Sequence, residues 1–441
     1  MQVVLLPLVA ALVAIPSWSL AGEIGNRFSD VSDNKNPSVL ATERPLTLDQ
    51  AFAVAETANP QLQRVLAQRA AATGDVNDTR GLLWNNPEVS AEHARRVISQ
   101  AGVPGETQRD WGVGVSQTFE VAGQQGYRRQ AAHLQMRALE ATIEDTRREV
   151  RFDVERRFVQ VLSLQERIAT ERQSLKIIED TARAVAKRVA AGEDSKLDGN
   201  LATVEAVRSQ NQIAALGEQL IQARAELAAA LQLSPPSLPQ VVGALDVTVP
   251  PYTLEQLLAA SANRPFLRAL ALREQAAQNR LSLERAARYP DITLGLARAK
   301  EGSAEAPEHL TRLTVSLPLP LFRQNAGNIG RASTELTQAQ IEQQTGQRNT
   351  RADIMALWQR MRSLNARIAA LQQTVLPALE ENQRLSTKSL QAGEISLVQL
   401  LLVNRQVLDG RRDLIDALTE MRATRIALDL AAGWPDTNAA H

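Results

Sequence analysis

Apolar residues alternate with polar or small residues in two stretches of this chain. In residues 310–321, every second position from Leu313 onward is leucine or valine, and Pro318 and Pro320 lie near the end of the run. Residues 111–121 repeat the pattern with Trp111, Val113, Val115, Phe119 and Val121. A period of two predicts strands with one apolar face, and prolines suit a strand end because they lack a backbone donor. Residues 88–97 and 291–299 are predicted to supply two further strands, with surface loops over residues 98–110 and 300–308.

Long helical patterns follow both strand pairs. Apolar residues recur at intervals of seven, for example at Val154, Val161 and Ile168, and Arg157 and Glu171 interrupt the seam. Such heptads predict helices that pair as coiled coils. Residues 124–191 contain no proline and should form one helix about 100 Å long. The counterpart, residues 328–392, contains Pro377, which should kink or divide the helix.

Short sequence matches recur at an offset of about 200 residues. Residues 47–50 match 253–256, and the Ala-Gly-Glu turn at 191–193 recurs at 392–394. Matches in the same order predict an internally duplicated chain. The first repeat is assigned to residues 46–245 with a helical hairpin over 124–232, and the second to 246–434 with a hairpin over 328–432. Elements of this length indicate one elongated body and not several compact domains.

The two ends of the chain carry different signals. Residues 1–21 resemble a secretory signal, with an apolar run from Val3 to Ile15 and a small-residue site at Ala21, although no basic residue precedes the run. A buried helix is the alternative. Residues 22–45 are polar and are expected to be extended, and residues 435–441 form a C-terminal tail.

Composition excludes several classes of protein. Lysine plus arginine and aspartate plus glutamate both number 49, so the net charge is zero and no nucleic-acid partner is indicated. The absence of cysteine excludes a disulfide, a thiolate metal site and a cysteine nucleophile. The four histidines, His93, His133, His309 and His441, lack the spacing of a metal site, and no phosphate loop or nucleophile elbow occurs. We therefore expect no enzyme activity, no cofactor and no metal site.

The predicted strands are close to the length of about 9–11 residues that crosses a bilayer when tilted. Four strands cannot close a barrel, and open edges are not tolerated in lipid, so strands must be pooled from several chains. A pair of ordinary hairpins packed on helices is the alternative, because barrel strands give a weak signal. The predicted lipid-facing residues are Val113, Val115, Phe119, Ile292, Leu294, Leu296, Val315, Leu317 and Leu319.

The duplicated architecture, the segment 314–322 before the second long helix and the two Ala-Gly-Glu turns resemble the outer membrane efflux proteins of the TolC family. The resemblance covers residues 46–434, and the segment 317–332 is most similar to the cobalt–zinc–cadmium branch. It implies a mixed α and β membrane protein of a Gram-negative outer membrane. In that fold, a homotrimer forms a twelve-stranded barrel, with four strands per chain, continued by a long coiled-coil periplasmic tunnel.

The resemblance also implies partners and a role. Substrate would pass from an inner membrane pump of the RND type through a periplasmic adaptor, and then passively through this duct. Heavy-metal cations are the expected cargo, and drugs or other small molecules are the alternative cargo. Two other functions for the whole protein are a periplasmic coiled-coil scaffold and a hydrolase with additional helices.

The tips of the two helical hairpins are the implied periplasmic entrance and adaptor-docking surface. The docking residues are Gly192, Glu193, Ser195, Gly393, Glu394 and Ser396. Six positions after each turn glycine the family carries an acidic residue, which this chain keeps as Asp198 and replaces by Gln399. A trimer would bring three Asp198 carboxylates toward one axis. The alternative is that Asp198 only occupies the first turn of a helix, where the helix dipole favours a carboxylate.

Overall fold

A computed structural model describes residues 45–98, 102, 105–245, 252–302 and 306–434. The predicted signal peptide (1–21), nearly all of the segment 22–45, the junction between the predicted repeats at 246–251 and the tail 435–441 lie outside the described residues.

The first half of the described chain contains two short helices, a pair of strands and a helical hairpin. In order they are α1 (Leu48–Ala58), α2 (Pro60–Asp78), β1 (Glu88–Ile98), β2 (Glu106–Phe119), α3 (Gln124–Ala191) and α4 (Lys196–Ala230). Helix α3 has 68 residues without a break, which at 1.5 Å per residue gives the predicted length of about 100 Å. Left-handed glycines, Gly123 and Gly192, delimit it at both ends.

The second half repeats this order with one difference. Its elements are α5 (Leu254–Ser261), α6 (Pro265–Ala286), β3 (Ile292–Gly302), β4 (Pro307–Ser316), α7 (Ala326–Ala370), α8 (Leu376–Gln391) and α9 (Leu397–Ala432). A π-helical turn, Leu371–Val375, joins α7 to α8 directly before Pro377. The predicted interruption at Pro377 is present, because proline cannot donate to the preceding turn and its ring displaces that turn's carbonyl.

Both halves begin with the same helix start. The Thr47 hydroxyl accepts from the Gln50 amide, and the Gln50 side chain accepts from the Thr47 amide at 3.1 Å. Thr253 and Gln256 form the same reciprocal pair, with the return bond at 2.8 Å. This capping box satisfies two amides that the first helical turn leaves without partners. The sequence match between the halves thus corresponds to a shared local structure.

The four strands form one antiparallel sheet in the order β1-β2-β3-β4. Val115 lies opposite Val89 on one side and Leu296 on the other, and Leu296 lies opposite Leu313. Residues directly opposite each other in such a sheet share a face. We call this side the apolar face; it carries Val89, Val113, Val115, Phe119, Ile292, Leu294, Leu296, Leu313 and Val315.

The strand ends differ from the predicted ends. Strand β2 begins at Glu106 and β4 at Pro307, so the predicted loops over 98–110 and 300–308 are too long. Backbone pairing between β1 and β2 continues there even though the side chains stop alternating in polarity. In the other direction β4 ends at Ser316, so Leu317 and Leu319, predicted in the strand, lie beyond it. Pro318 and Pro320 cannot donate to the backbone ladder, which explains the early end.

The helical core consists of two large clusters. Val154, Phe158 and Val161 of α3 pack with Leu227 of α4 in the first, and Ile354 and Met361 of α7 pack with Leu428 of α9 in the second. A small third cluster near the hairpin tips joins Val185 and Ala202 of the first hairpin to Leu397 of the second. Ile426 of α9 also belongs to the first cluster, so apolar packing holds the second hairpin against the first as well as the helices within each hairpin. Within the described residues, no helix is both long and apolar enough to pass through a membrane.

The polar interruptions of the α3 seam find charged partners. Glu171 is 2% exposed, and its carboxylate accepts from the Arg412 guanidinium of α9 at 2.5 Å. Arg157 donates to Asp153 at 2.8 Å and lies 3.7 Å from Glu226 of α4. Removing one partner of a buried pair leaves an uncompensated charge, so the Glu171–Arg412 pair fixes how α3 and α9 align.

A partly buried carboxylate, Asp429, lies near the end of α9. The Tyr252 hydroxyl donates to Asp429 at 3.0 Å, and the Arg425 guanidinium lies 3.7 Å from the same carboxylate. Burial nevertheless dominates, and raises the pKa of Asp429 to about 6, with the neighbouring Glu155 charge acting in the same direction. The folded chain therefore binds this proton more tightly than the unfolded chain, whose Asp pKa is about 3.9.

We expect this carboxylate to make stability fall as pH rises. Its contribution is complete below about pH 4 and is lost between about pH 4 and pH 6, where only the folded state keeps the proton. Asp429→Asn should flatten the dependence in that window and stabilise the helical body at pH 7 by about 1–3 kcal/mol. Loss of helical circular dichroism on heating, recorded from pH 4 to 7, measures both effects.

Tyr252→Phe provides the matched comparison. It removes the hydrogen bond that favours the charged carboxylate, so the decline should extend to higher pH. An Asp429→Asn profile with the slope of the unaltered chain would contradict the assignment.

Candidate functional site

The apolar face of the sheet is exposed along most of its length. Val115 is 47% exposed, Leu296 53% and Val315 68%. Within the strands, the residues predicted to face lipid all lie on this face: Val113, Val115, Phe119, Ile292, Leu294, Leu296 and Val315. Leu317 and Leu319 are exposed next to it, beyond the end of β4. The contact of these residues with lipid stays a prediction.

The opposite side of the sheet carries small and polar residues, and we call it the polar face. Its members include Glu88, Ser90, Glu92, Asp110, Gly112, Gly114, Ser116, Gly295, Ala297, Glu301, Glu308, Arg312 and Thr314. A Cβ atom added at Gly295 would lie 2.4 Å from the Thr314 hydroxyl, and one at Gly114 would lie 2.8 Å from the Ser90 hydroxyl. Side chains therefore crowd together on the polar face, as expected on the inner surface of a curved sheet.

Charge is divided between the two faces. Strand carboxylates, among them Glu88, Glu92 and Glu308, lie on the polar face with register partners that are small or polar. Asp110 on that face accepts from the Gly302 amide at 3.2 Å and lies 3.3 Å from Arg96. This division was not predicted from the sequence. Within each strand, the carboxylates occupy alternate positions that differ from those of most of the apolar residues. The register between strands is needed to show that these positions lie on the same face in all four strands.

The first hairpin tip is built by a left-handed glycine and a capping serine. Gly192 has φ 76° and ends α3, and the Glu193 amide donates back to the Arg188 carbonyl at 2.9 Å. Arg188 also pairs with Asp194 at 3.0 Å. Ser195 then caps α4. A residue with a Cβ is strained at such a φ, which accounts for glycine at this position.

The second tip has the same geometry. Gly393 has φ 77°, and its neighbour Glu394 donates its amide to the Ser389 carbonyl at 2.8 Å and accepts from the Ser389 hydroxyl at 3.0 Å. Ser396 caps α9. A Cβ at Gly192 or Gly393 would meet no atom within 4 Å, so both turns face open space. The predicted docking residues therefore form two similar exposed turns.

The two residues predicted at the entrance, Asp198 and Gln399, make different hydrogen bonds at the start of their helices. The Ser195 hydroxyl donates to the Asp198 carboxylate at 2.6 Å and accepts from the Asp198 amide at 3.1 Å. Gln399 instead completes a capping box, because its side chain accepts from the Ser396 amide at 2.9 Å. Both residues thus occupy the first turn of a helix. A role of either residue in a pore stays a prediction.

Exposed apolar side chains continue along α4 from the tip. Leu197 is 67% exposed and Val204 62%, and Leu201 lies between them on the same side of the helix. Spacings of four and three place these residues on one stripe. Val398 and Leu402 form a corresponding pair on α9. Among the described residues, no group of three histidines or carboxylates is arranged to hold a metal ion.

A family model described as "Outer membrane efflux protein" matches residues 53–232 and 257–434. The matched ranges cover the helices, strands and hairpins of both halves.

Among curated proteins, the cobalt-zinc-cadmium resistance protein CzcC of Cupriavidus metallidurans is 25% identical over 395 residues. The match covers 88% of this chain and 90% of CzcC.

Solved structures show the same fold. CusC has a TM-score of 0.72 and 18% identity, covering 87% of this chain and 91% of CusC. VceC of Vibrio cholerae has a TM-score of 0.73 and 18% identity, covering 88% of this chain and 96% of VceC. CusC forms a transmembrane channel, and VceC is an outer membrane protein.

The fold class predicted from the sequence is confirmed: the chain has the fold of outer membrane channels, with a four-stranded sheet for the barrel and long helical hairpins for the tunnel. The predicted location is confirmed too, with the barrel in the outer membrane of a Gram-negative bacterium and the helices in the periplasm. On the match to both halves of its sequence and on its fold, the chain belongs to the outer membrane efflux protein family.

Proposed function

We propose that this chain is the exit duct of a tripartite efflux assembly that carries heavy-metal cations out of the cell. The two faces of the sheet support a role as a duct. The exposed apolar face suits contact with lipid, and the small and polar residues of the other face suit a water-filled lumen. An RND-type pump of the inner membrane and a periplasmic adaptor would deliver the substrate at the hairpin tips. Transport is passive, and the chain catalyses no reaction.

Two observations support metal cations as cargo. The curated relative CzcC is named as a cobalt-zinc-cadmium resistance protein and matches most of this chain. The strand carboxylates lie on the polar face. Two arginines on that face are paired with carboxylates, Arg96 with Asp110 at 3.3 Å and Arg312 with Glu301 at 3.8 Å. Rings of carboxylates favour cations in channels. A duct for drugs or other small molecules is the alternative cargo.

We propose that Val113, Val115, Phe119, Ile292, Leu294, Leu296, Val315, Leu317 and Leu319 contact lipid. Leu294 and Val315 lie directly opposite each other and so at one depth. Leu294→Arg or Val315→Arg should destabilise the assembled barrel by about 2–4 kcal/mol if this depth is near the bilayer midplane. Unfolding of the trimer in lipid vesicles measures the effect. Ser316→Arg, on the polar face beside Val315, is the control and should assemble; normal stability of both apolar-face variants would overturn the assignment.

The hairpin tips are the proposed adaptor-docking surface. In a strain lacking the chain, the unaltered protein should restore tolerance to cobalt, zinc and cadmium, and Gly192→Arg combined with Gly393→Arg should not. The reason is that bulky charges at two left-handed turns distort and cover the surface. Intracellular metal content and the amount of trimer in the outer membrane are the measurements.

Gly74→Arg is the matched control, since Gly74 on α2 is exposed and a Cβ there also meets no atom within 4 Å. It should restore metal tolerance. Normal export by the double tip variant would mean that docking occurs elsewhere. Restored tolerance to drugs and none to metals would overturn the cargo proposal while leaving the duct.

Asp198 is proposed to form a three-carboxylate ring at the entrance. Asp198→Asn removes three charges per trimer and keeps an oxygen that can accept from the Ser195 hydroxyl. Gln399→Glu adds three charges and preserves the capping box, in which glutamate is as suitable as glutamine. In single-channel recordings, Asp198→Asn should weaken cation preference and block by multivalent cations, and Gln399→Glu should strengthen both.

Both effects should shrink as salt rises, because screening acts over about 10 Å at 0.1 M. Asp180→Asn serves as the control for a lost carboxylate, since Asp180 lies on α3 well before the tip. Identical selectivity and block in the two entrance variants would show that Asp198 is only a helix-start residue.

A further inference from the structure

The outer end of the apolar face, farthest from the helices, carries a group of basic residues. We call Arg95, Arg109, Arg298 and Lys300 the outer basic patch. Arg95 lies directly opposite Arg109, and Lys300 lies opposite Trp111. Arg298 lies opposite Val113 and one register row closer to the apolar residues. The four side chains thus share one face and span three neighbouring strands.

Carboxylates in the described part of the chain leave the outer basic patch without a counter-charge. Among the described residues, none of the four forms an ion pair. The carboxylates nearest in sequence, Asp110 and Glu301, have the opposite parity and lie on the polar face. There they pair with Arg96 and Arg312. The same strands therefore neutralise basic residues on one side of the sheet and leave them unneutralised on the other.

Electrostatic repulsion between Arg95 and Arg109, which lie directly opposite each other, destabilises the pairing of β1 with β2. Opposed side chains in an antiparallel ladder have Cβ atoms about 4.5–5.5 Å apart, and like charges at that distance destabilise the pairing. Both residues are exposed. Two guanidinium groups held this close are relieved by an anion that both can bind, and guanidinium matches the geometry of phosphate oxygens.

The neighbourhood of the patch indicates where that anion comes from. Trp111 is 50% exposed in the same row as Lys300. The next row on this face pairs Val113 with Arg298, and the row after it pairs Val115 with Leu296. Aromatic residues flank the lipid-facing band at its interfaces, so the patch lies at headgroup depth. Long basic side chains extend from such a position toward the polar layer.

We propose that the outer basic patch binds the phosphate groups of anionic lipids in the outer leaflet, and so fastens the barrel to that leaflet. This rests on the proposed lipid contact of the apolar face. A free phosphate ion would not use the adjoining apolar rows, whereas a phospholipid would place its acyl chains on Leu296 and Val115 and its phosphate on the arginines. The ligand class is therefore a phosphate-bearing lipid.

The test compares two variants of the full-length trimer in a neutral detergent. The patch variant, Arg109→Gln with Arg298→Gln and Lys300→Gln, removes three of the four patch residues. The polar-face variant, Arg96→Gln with Arg312→Gln, removes two arginines from the other face of the same sheet. Each protein is titrated with phosphatidic acid, phosphatidylcholine or inorganic phosphate. Bound lipid is counted by native mass spectrometry, and the heat stability of the trimer is followed on gels.

We expect phosphatidic acid to bind and stabilise the unaltered trimer and the polar-face variant, and to bind the patch variant about tenfold or more weakly. Phosphatidylcholine and inorganic phosphate should stabilise none of the three. Arg109→Lys with Arg298→Lys should retain lipid binding. Arg109→Gln alone relieves the repulsion with Arg95, so it should assemble and still show reduced phosphatidic acid binding even if the triple variant fails to fold.

Equal binding of phosphatidic acid by the patch variant and the unaltered trimer would overturn the proposal. Equal stabilisation by inorganic phosphate would also overturn it, by showing a site for a free anion. Loss of lipid binding in the polar-face variant alone would show that the faces have been assigned the wrong way round. That last result would count against the proposed duct orientation, whereas the first two leave metal export untouched.

Discussion

Register in the four-stranded sheet is the constraint on which the other surfaces of this protein depend. Val115, Leu296 and Leu313 line up only because the pairing continues through all four strands without a bulge. A slip of one residue in β3 would turn its leucines inward and its glycine and alanines outward. The crowding between Gly295 and Thr314 resists such a slip, since a side chain at that position would strike the threonine. The small residues on the polar face therefore help to fix the register that keeps the leucines and valines on the apolar face.

Helical packing and sheet register have to agree, because each hairpin begins where a strand pair ends. The Glu171–Arg412 pair aligns the long helices of the two hairpins, and Leu397 at the far end packs against Val185 and Ala202. The two halves are thus joined by hydrogen-bonded strands at one end and by side-chain packing along the rest. The duplicated sequence supplies equivalent elements, but it is the contacts between the halves that make one body of them.

Much of this arrangement could be predicted from the sequence where local chemistry decides it. The bounds of α3 follow from two glycines and the absence of proline between them, and the interruption of the second long helix follows from Pro377. The start of β2 could not be predicted, because backbone pairing continues past the alternating residues. The end of β4 at Ser316 is consistent with Pro318 and Pro320, although the alternation of apolar residues predicted a longer strand. Gln399 was interpreted as a missing acid, but it caps a helix through Ser396. Whether Asp198 faces a pore depends on neighbouring chains and not on its own helix.

The π-helical turn at Leu371–Val375 makes the two halves mechanically unequal. Helix α3 has an uninterrupted ladder of hydrogen bonds over 68 residues. The path through α7 and α8 lacks the donor of Pro377 and has a wider turn beside it. Bending a helix costs least where its ladder is already broken. A sideways force applied at the hairpin tips would therefore deflect the second hairpin about Pro377 while the first behaves as a stiff strut. If the periplasmic end widens, the second hairpin of each chain would therefore bend outward about Pro377 while the first hairpin stays straight.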